Sequence, residues 1–495
     1  MISTPSRTTR LTLDVATLAF VARLAVVVYA LAEPVWDGHY YDLGARRIAD
    51  GKGYSEDLII AAPGGGEQVV WQAWAHYPVG YSGFIALFFK LFGRSLAIAP
   101  LANALTGAAL AAVSYRLALA AFTTEAERSA TRFTSGHTRA LVAGLLVALH
   151  PGLVLYSGAL MTEPLAALGM MSAIFFVLED RNAWRGAALA GVTLGLTTLV
   201  RPNAILIAPL LPFLGAKSAA KQVLPRVGAF VARGAIAAAA MLAMVTPWTL
   251  RNCRVMDECA VVSTNAGWNL VIGSAPGATG KFEFLVGHTP DGAPTCAEGG
   301  QVAQDKCWWR YGVTIIRRDF GRWVSLIPAK LHYTLDAEWF PINYLREARP
   351  DLVSAEAHVA WGRVLTGTQH ALLVAAALAA LGRPVRRRDR LVPYATQLLL
   401  LAIVVVLAVH GLPQSSPMMW PLGVLACALP LVPLPGAPSR KPAEYALAAI
   451  VLTTLLTHAV FFGEDRYHLV ATPAFAILAA GLGRRMRPLA IAHAT

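Results

Sequence analysis

The run Glu33 to Tyr41, E-P-V-W-D-G-H-Y-Y, follows directly on the first long apolar segment and carries one acid that could do chemistry, Asp37. A membrane span ending there would surface into water at that residue. A carboxylate at that depth can take a proton from an attacking hydroxyl, and the aromatic rings beside it suit a sugar face. Five further clusters fall at the same outer boundary. They are His76-Tyr77-Pro78, Thr162-Glu163-Pro164, Arg201-Pro202-Asn203, Pro247-Trp248 with Arg251-Asn252, and Glu464-Asp465-Arg466-Tyr467-His468. Arginine forks bind phosphate oxygens bidentately. Acids and arginines gathered at one depth therefore point to a reaction at the phosphate of a lipid headgroup. Asp37 and Glu163 are the candidate catalytic acids. Tyr40, Tyr41, His76, Tyr77, Arg201, Arg251, Arg466, Tyr467 and His468 are the candidates for holding a donor's phosphate and sugar.

Each group has a plainer reading. Asp37 precedes a helical stretch, Tyr40 to Ala49, and could serve as a cap there, worth about 1 kcal/mol. Glu163 could favour the N-terminus of the span it opens. Single arginines at a boundary anchor and snorkel. At Asp37 the two readings stay open; convergence of separate hairpins on one face favours chemistry for the set. Arg23 lies inside the first span, where an unpaired charge costs at least about 2.5 kcal/mol. It should face the bundle interior, with Asp14 or a carboxylate of another span as its partner.

The elements that position these groups follow from composition and charge. The chain has 495 residues, 56% hydrophobic and only 14% charged, where a soluble domain carries about a quarter. Several apolar runs reach the roughly 20 residues that cross a bilayer. The net charge of +13 resides largely in short loops: Arg383, Arg386, Arg387, Arg388 and Arg390; Arg484, Arg485 and Arg487; Lys217, Lys221 and Arg226. Such loops stay cytoplasmic, and no basic and aromatic interleaving accompanies them, which argues against a nucleic-acid partner. Arg7 and Arg10 ahead of an apolar stretch ending Ala30-Leu31-Ala32 mimic a signal peptide, but the stretch is long and contains Asp14 and Arg23. An uncleaved first span is expected.

With the basic loops inside, the pattern predicts an all-α polytopic membrane protein of about twelve spans with both termini inside. Residues 1–249 form an N-terminal transmembrane module whose first outer loop is 33–95. Residues 250–367 form a soluble extracytoplasmic insertion, small and α/β or irregular, and 368–495 a C-terminal transmembrane module. In the first loop, Val79 to Phe92 reads as an interfacial or re-entrant helix, because counting it as a span would invert every later loop. The insertion holds four of the five cysteines, Cys253, Cys259, Cys296 and Cys307, on the side where disulfides persist. Local pairing, Cys253 with Cys259 and Cys296 with Cys307, is the expectation among three connectivities. No Cys-x-x-Cys or paired-histidine spacing supports zinc.

Several of these motifs resemble those of a known family. Trp36-Asp37-Gly38-His39-Tyr40-Tyr41 with Ala45, Ile48 and Gly51, then Tyr77-Pro78-Val79-Gly80-Tyr81 leading to Lys90-Leu91-Phe92-Gly93, is similar to the first outer loop of GT-C membrane glycosyltransferases, the group of protein O-mannosyltransferases and lipid A aminoarabinose transferases. His150-Pro151 through Thr162-Glu163, Leu199-Val200-Arg201-Pro202, Pro247 to Asn252, Ser263 to Leu270, and Arg466-Tyr467-His468-Leu469 with Pro473 resemble later landmarks, so the likeness runs from about Leu11 to Leu482. The resemblance implies the GT-C fold, a polyprenyl-phosphate-linked sugar donor and a site facing the periplasm or exterior of a bacterial cytoplasmic membrane. It implies Asp37 as the first-loop acid and Glu163 as a second acid. Many members carry another acid directly after the first; here that position is Gly38. The acceptor, whether lipid, glycan or protein, does not carry over. A lipid phosphate leaving group needs charge stabilisation rather than a general acid, so no metal or other cofactor is expected. The rival readings are a flippase or transporter for a polyprenyl-linked glycan, which would place its groups near the midplane on broken helices, and a polysaccharide polymerase or ligase.

Overall fold

The computed structural model describes residues 6–61, 67–129, 133–180, 182–214, 223–285, 294–382, 391–411, 418–432 and 440–483. The basic loops 383–390 and 484–487, and Lys217 and Lys221, lie outside them. Helices dominate, as the apolar runs demand: a buried backbone in lipid can satisfy its own hydrogen bonds only so. Among the described residues seven helices are long and apolar enough to cross a membrane: Arg7–Tyr29, Ile98–Phe122, Ala183–Val200, Val227–Val255, Ala355–Leu381, Tyr394–Gly411 and Pro442–Val460. An eighth span forms if Ser135–Leu149 and Pro151–Gly158, bent by 47°, are one. Glu163–Glu179 and the shorter apolar helices Val79–Phe92, Pro202–Leu214 and Trp420–Leu431 complete the bundle. The chain is a helical, multi-pass membrane protein, and the expected count of about twelve is approached only by including these shorter helices.

Small residues let the spans approach closely, as they must where lipid offers no hydrophobic drive between helices. A Cβ at Gly195 would stand 2.7 Å from the Met241 carbonyl of the neighbouring span, and one at Gly80 would stand 2.6 Å from the backbone of Leu199. The second contact sets the start of helix Val79–Phe92 on the C-terminal end of Ala183–Val200.

Arg23 is fully buried, as expected, but its partner is no carboxylate. Its Nη1 donates to the carbonyls of Ala148 (2.8 Å) and Ala19 (3.0 Å), and its Nη2 to that of Val147 (3.2 Å). Pro151, which has no N–H, ends helix Ser135–Leu149 and leaves those last carbonyls without helical donors. The guanidinium caps them, at the negative end of the helix dipole. Asp14 is exposed on the first helix and takes no part.

Helix Asp37–Ala49 leads into a hairpin of Ser55–Ala61 and Glu67–Ala73, paired antiparallel with Ser55 opposite Ala73. Gly51 and Gly53, at φ 77° and 72°, make the turn between them, a conformation that only glycine adopts without strain. Arg47 fastens hairpin to helix: its two Nη atoms meet the Asp57 carboxylate at 2.7 and 2.8 Å while Nε meets Ser55 at 2.9 Å. Ser82 Oγ donates to the Tyr41 carbonyl (2.9 Å), tying helix Val79–Phe92 to the same unit.

The insertion is helical with irregular connections, and the hairpin sits in the first loop instead. Its helices are Ala266–Ile272, Gln301–Arg318, Phe320–Ser325, Ile327–Leu335 and Phe340–Ala348. What recurs in it is the helical period; the alternating stretch Lys281 to Phe284 makes a single bridge, Lys281 to Gly463, among the described residues. Both of its ends are continuous with membrane helices, since Val223–Val255 and Ala355–Leu381 run through residues 250 and 367. Disulfides join Cys253 to Cys259 and Cys296 to Cys307, and Cys427 is a buried free thiol.

Candidate active site

Trp36, the residue before helix Asp37–Ala49, has φ 50°, a strained value for a side chain of that size. Its ring packs on Phe340 and Tyr344, at centroid distances of 5.3 and 5.7 Å, and that packing holds the strained turn. The turn aims the first helical residue, Asp37, inward.

Asp37 caps no helix. Its Oδ1 accepts from the Tyr77 hydroxyl at 2.7 Å and its Oδ2 from Arg466 Nη1 at 2.6 Å, so both oxygens are held by side chains from other segments. The side chain keeps 22% of its exposure, enough to meet a substrate. Burial pushes the Asp37 carboxyl up, but the Arg466 guanidinium and the Tyr77 hydroxyl outweigh it and hold the group below the usual carboxylate range.

Arg466 joins two carboxylates and two aromatic rings. Besides Asp37, its Nε stands 2.6 Å from Glu464 Oε2, and its guanidinium packs over the rings of Phe340 (4.9 Å) and Tyr467 (5.1 Å). Its Nη2 has only a long bond, 3.4 Å, to the Tyr467 hydroxyl. Burial and the neighbouring Asp465, Asp37 and Glu163 push the Glu464 carboxyl up to about 7, against the pull of Arg466. Across the Tyr467 ring, Arg201 packs at 5.2 Å and reaches Glu163 Oε1 at 2.6 Å and Thr162 Oγ1 at 3.2 Å. Tyr467 thus links two acid–arginine pairs, Asp37 with Arg466 and Glu163 with Arg201.

An aromatic platform flanks the first pair. Tyr40 is exposed and lies near parallel to Trp74, 6.1 Å between centroids, and 5.8 Å from Tyr77. His76 meets the edge of Tyr77 at 4.9 Å, and burial lowers its imidazole against the pull of Asp37.

Three residues read from the sequence as donor contacts lie elsewhere. Tyr41 is buried beneath Tyr77 and Tyr81, at 5.3 and 5.2 Å, and supports the platform from below. Arg251 spends its guanidinium on the carbonyls of Tyr54 and Trp74 and on the Asn252 side chain, with Trp248 beneath it at 4.7 Å; it staples the hairpin to the end of a span. His468 is fully buried between the Thr334 carbonyl (2.8 Å) and Glu338 Oε2 (3.3 Å). A place near a span end does not say which way a side chain turns.

Sequence reading missed Tyr344. Its hydroxyl accepts from the amides of Val35 (3.2 Å) and Leu160 (3.4 Å) and occupies the space a Cβ on Gly38 would need. It lies in the insertion helix F-P-I-N-Y-L, and nothing in that stretch marks it as a neighbour of residue 38. Glu464 stood in a run already singled out, and its adjacency to Arg466 was the available signal. Among the described residues no three His, Cys, Asp or Glu side chains are grouped to hold a metal ion.

No protein-family model matches the chain, and no curated protein matches it in sequence. By structure it is similar to the oligosaccharyltransferase of Archaeoglobus fulgidus in the apo form, with a TM-score of 0.45 and 14% identity, covering 96% of this chain and 50% of that one. The same archaeal protein, in complex with an inhibitory peptide and a dolichol-phosphate, gives a TM-score of 0.44 at 13% identity, with 96% and 50% covered. ArnT from Cupriavidus metallidurans bound to undecaprenyl phosphate gives 0.35 at 17% identity, with 96% and 77% covered. The chain spans about half the length of the archaeal oligosaccharyltransferase.

Proposed function

We propose that the chain is a glycosyltransferase of the outer face of a bacterial cytoplasmic membrane. It moves a sugar from a polyprenyl-phosphate donor to an acceptor hydroxyl with inversion, without a metal or other cofactor. The observation that carries the reading is the Asp37 carboxylate, part-exposed at the end of a span and gripped by Arg466 and Tyr77. A carboxylate beside a guanidinium with a spare N–H pair matches a reaction that must deprotonate a hydroxyl and release a phosphate.

Asp37 takes the acceptor hydroxyl's proton as that oxygen attacks the anomeric carbon. The bond from that carbon to the phosphate oxygen breaks, and its electron pair leaves with the lipid phosphate. Arg466 Nη2 meets the departing oxygens, worth a few kcal/mol in a site shielded from water. Tyr40, Trp74 and Tyr77 offer the sugar an aromatic face. Arg201 and Glu163 hold the far side of the Tyr467 ring, and the proton on Asp37 is lost to water after product leaves.

Asp37→Asn tests this directly. It keeps the shape and the bond from Tyr77 while removing the base, so transfer from a polyprenyl-phosphate sugar should fall about 10²- to 10⁴-fold. Binding of the lipid donor should persist. Transfer within threefold of wild type by the folded variant would sink the assignment. Loss of glycan translocation, with no transfer by wild type, would favour a flippase.

A further inference from the structure

Asp37 and Arg466 lie 429 residues apart in the chain, and three consecutive residues of the insertion, Glu338, Trp339 and Phe340, reach the segments that carry both. The turn bearing Arg466 is held on either side of it. Asp465 accepts from the amides of Trp339 and Phe340, the latter at 2.9 Å, and His468 Nε2 stands 3.3 Å from Glu338 Oε2. Between these two grips the Arg466 guanidinium lies over the Phe340 ring, at 4.9 Å. The same ring packs on Trp36, the strained residue that aims Asp37. The segment is itself fixed to helix Ala355–Leu381. The Glu338 amide donates to Thr366 Oγ1 at 3.1 Å, and the Trp339 ring lies so close to Gly362 that a Cβ there would stand 2.2 Å from it.

Glu338 is the costly member of this set. It is fully buried, and its Oε1 has no hydrogen-bond partner among the described residues. That oxygen fills the space a Cβ on Gly152 would need, 3.9 Å from His150 Nδ1. His468 Nδ1 faces the Thr334 carbonyl at 2.8 Å, a group that only accepts. The His468 ring therefore donates to Glu338 from its other nitrogen as well, or Glu338 carries the proton and donates to the ring. Apolar side chains of similar volume would join the two segments at less cost. What a buried, directional bond adds is a fixed register between them. We propose that Glu338 is a positioning residue: through His468 it sets the turn that holds Arg466 Nη1 against Asp37 while the acceptor's proton is taken. Its consequence for turnover rests on the glycosyl-transfer reading; its geometry rests on the contacts alone.

Two measurements on the full-length protein in detergent test the assignment. Glu338→Leu fills the space but loses the bond to His468, and Glu338→Gln keeps both shape and bond; Glu338→Ala replaces the Leu variant should that one not fold. Hydrogen exchange read by mass spectrometry should find the amides of 464–468 exchanging at least about tenfold faster in Glu338→Leu. The hairpin 55–73, fastened by Arg47 and Arg251, should exchange as in wild type. The donor probes for transfer are undecaprenyl-phosphate-linked glucose, mannose and galactose, with detergent-extracted membrane lipids and glycans as acceptors. With the sugar that wild type accepts, Glu338→Leu should lose about 10- to 100-fold in kcat, the cost of misplacing a group by about 1 Å. Its KM for the donor should stay within about threefold, as for an interaction made in the transition state. Glu338→Gln should return kcat to within about threefold of wild type and restore exchange at 464–468. Unchanged exchange at 464–468 overturns the proposal, and so does an equal rise along the whole chain, the mark of a merely structural role. Wild-type kcat in Glu338→Leu, a rise in KM alone, or an equal loss in Glu338→Gln overturns it too. Wild type that transfers none of these sugars and binds no undecaprenyl phosphate counts against the glycosyl-transfer reading instead, and the exchange measurement still decides the geometry.

Discussion

Gly38 gives the sharpest test of how the site is packed. Many members of the family its motifs resemble carry a second acid directly after the first-loop acid, and here a glycine follows Asp37. A Cβ at residue 38 would overlap the Tyr344 hydroxyl and stand 3.1 Å from the Leu160 carbonyl and 3.3 Å from its Cβ. The first overlap forces movement; the other two need a few tenths of an ångström. Gly38→Ala should then cost about 1 to 3 kcal/mol of stability, the range for overpacking a filled site. Tyr344→Phe removes the obstructing oxygen along with two long hydrogen bonds, from Val35 (3.2 Å) and Leu160 (3.4 Å). At about 0.5 to 1.5 kcal/mol per bond, that change alone costs about 1 to 3 kcal/mol. The two effects should not add. With the oxygen gone the methyl has room, so the double variant should be about as stable as Tyr344→Phe alone, a coupling of about 1 to 3 kcal/mol. Thermal melting of the four proteins in one detergent measures the cycle. If Gly38→Ala costs the same in both backgrounds, the hydroxyl does not bar residue 38 and the explanation for the missing acid fails.

Glu163 and Arg201 form a pair whose carboxylate is almost fully buried, at 2% exposure. Glu163→Gln leaves the guanidinium with Thr162 and the Tyr467 ring, so it should destabilise by about 3 kcal/mol, the low end for breaking a buried pair; pairing it with Arg201→Met should cost less than the sum of the singles, and additive melting shifts would refute the pairing. Glu464, pushed up to about 7, sets a pH dependence whose sign is fixed. Its folded value lies above the unfolded one of about 4.3, so between these values the folded chain binds the extra proton, and stability falls as pH rises through that window. Melting temperature should therefore drop from about pH 4.5 to 7 and do so less steeply in Glu464→Gln; equal slopes would show that another group is responsible.

Much of the fold was legible because its signals are local. Long apolar runs and the glycine turns at Gly51 and Gly53 each act within a few residues of themselves. The shared depth of Asp37, Glu163, Arg201 and Arg466 was legible too, since span ends fix depth. Direction was not. Arg251 turns to backbone carbonyls and His468 into the core, and only packing between segments far apart in sequence decides that. Arg23 shows the same limit: burial and cost were readable, but its partners are carbonyls released by a proline more than a hundred residues away. Tyr344, whose neighbours at 35 and 160 come from two other segments, left no trace in the sequence at all.

On the proposed reading, Asp37 is a base kept weak until it is needed. Arg466 holds its proton affinity down in the resting site, which wastes basicity if no donor is bound but prevents the carboxylate from being protonated idly. Of the guanidinium's three nitrogens only Nη1 has a strong hydrogen bond, to Asp37; Nε faces Glu464 as an ion pair without hydrogen-bond geometry, and Nη2 has little but a long contact to Tyr467. A lipid phosphate would meet Nη2 first. Each N–H the phosphate draws away weakens the hold on Asp37, so the base strengthens as the leaving group arrives. Glu464 eases that exchange, because a carboxyl near neutrality can take a proton when the phosphate displaces it, where a low-affinity acid would remain as a rival anion. A phosphate-free acceptor binding event would change none of these contacts. Donor occupancy, read through one arginine, would therefore set the strength of the base before the acceptor is activated.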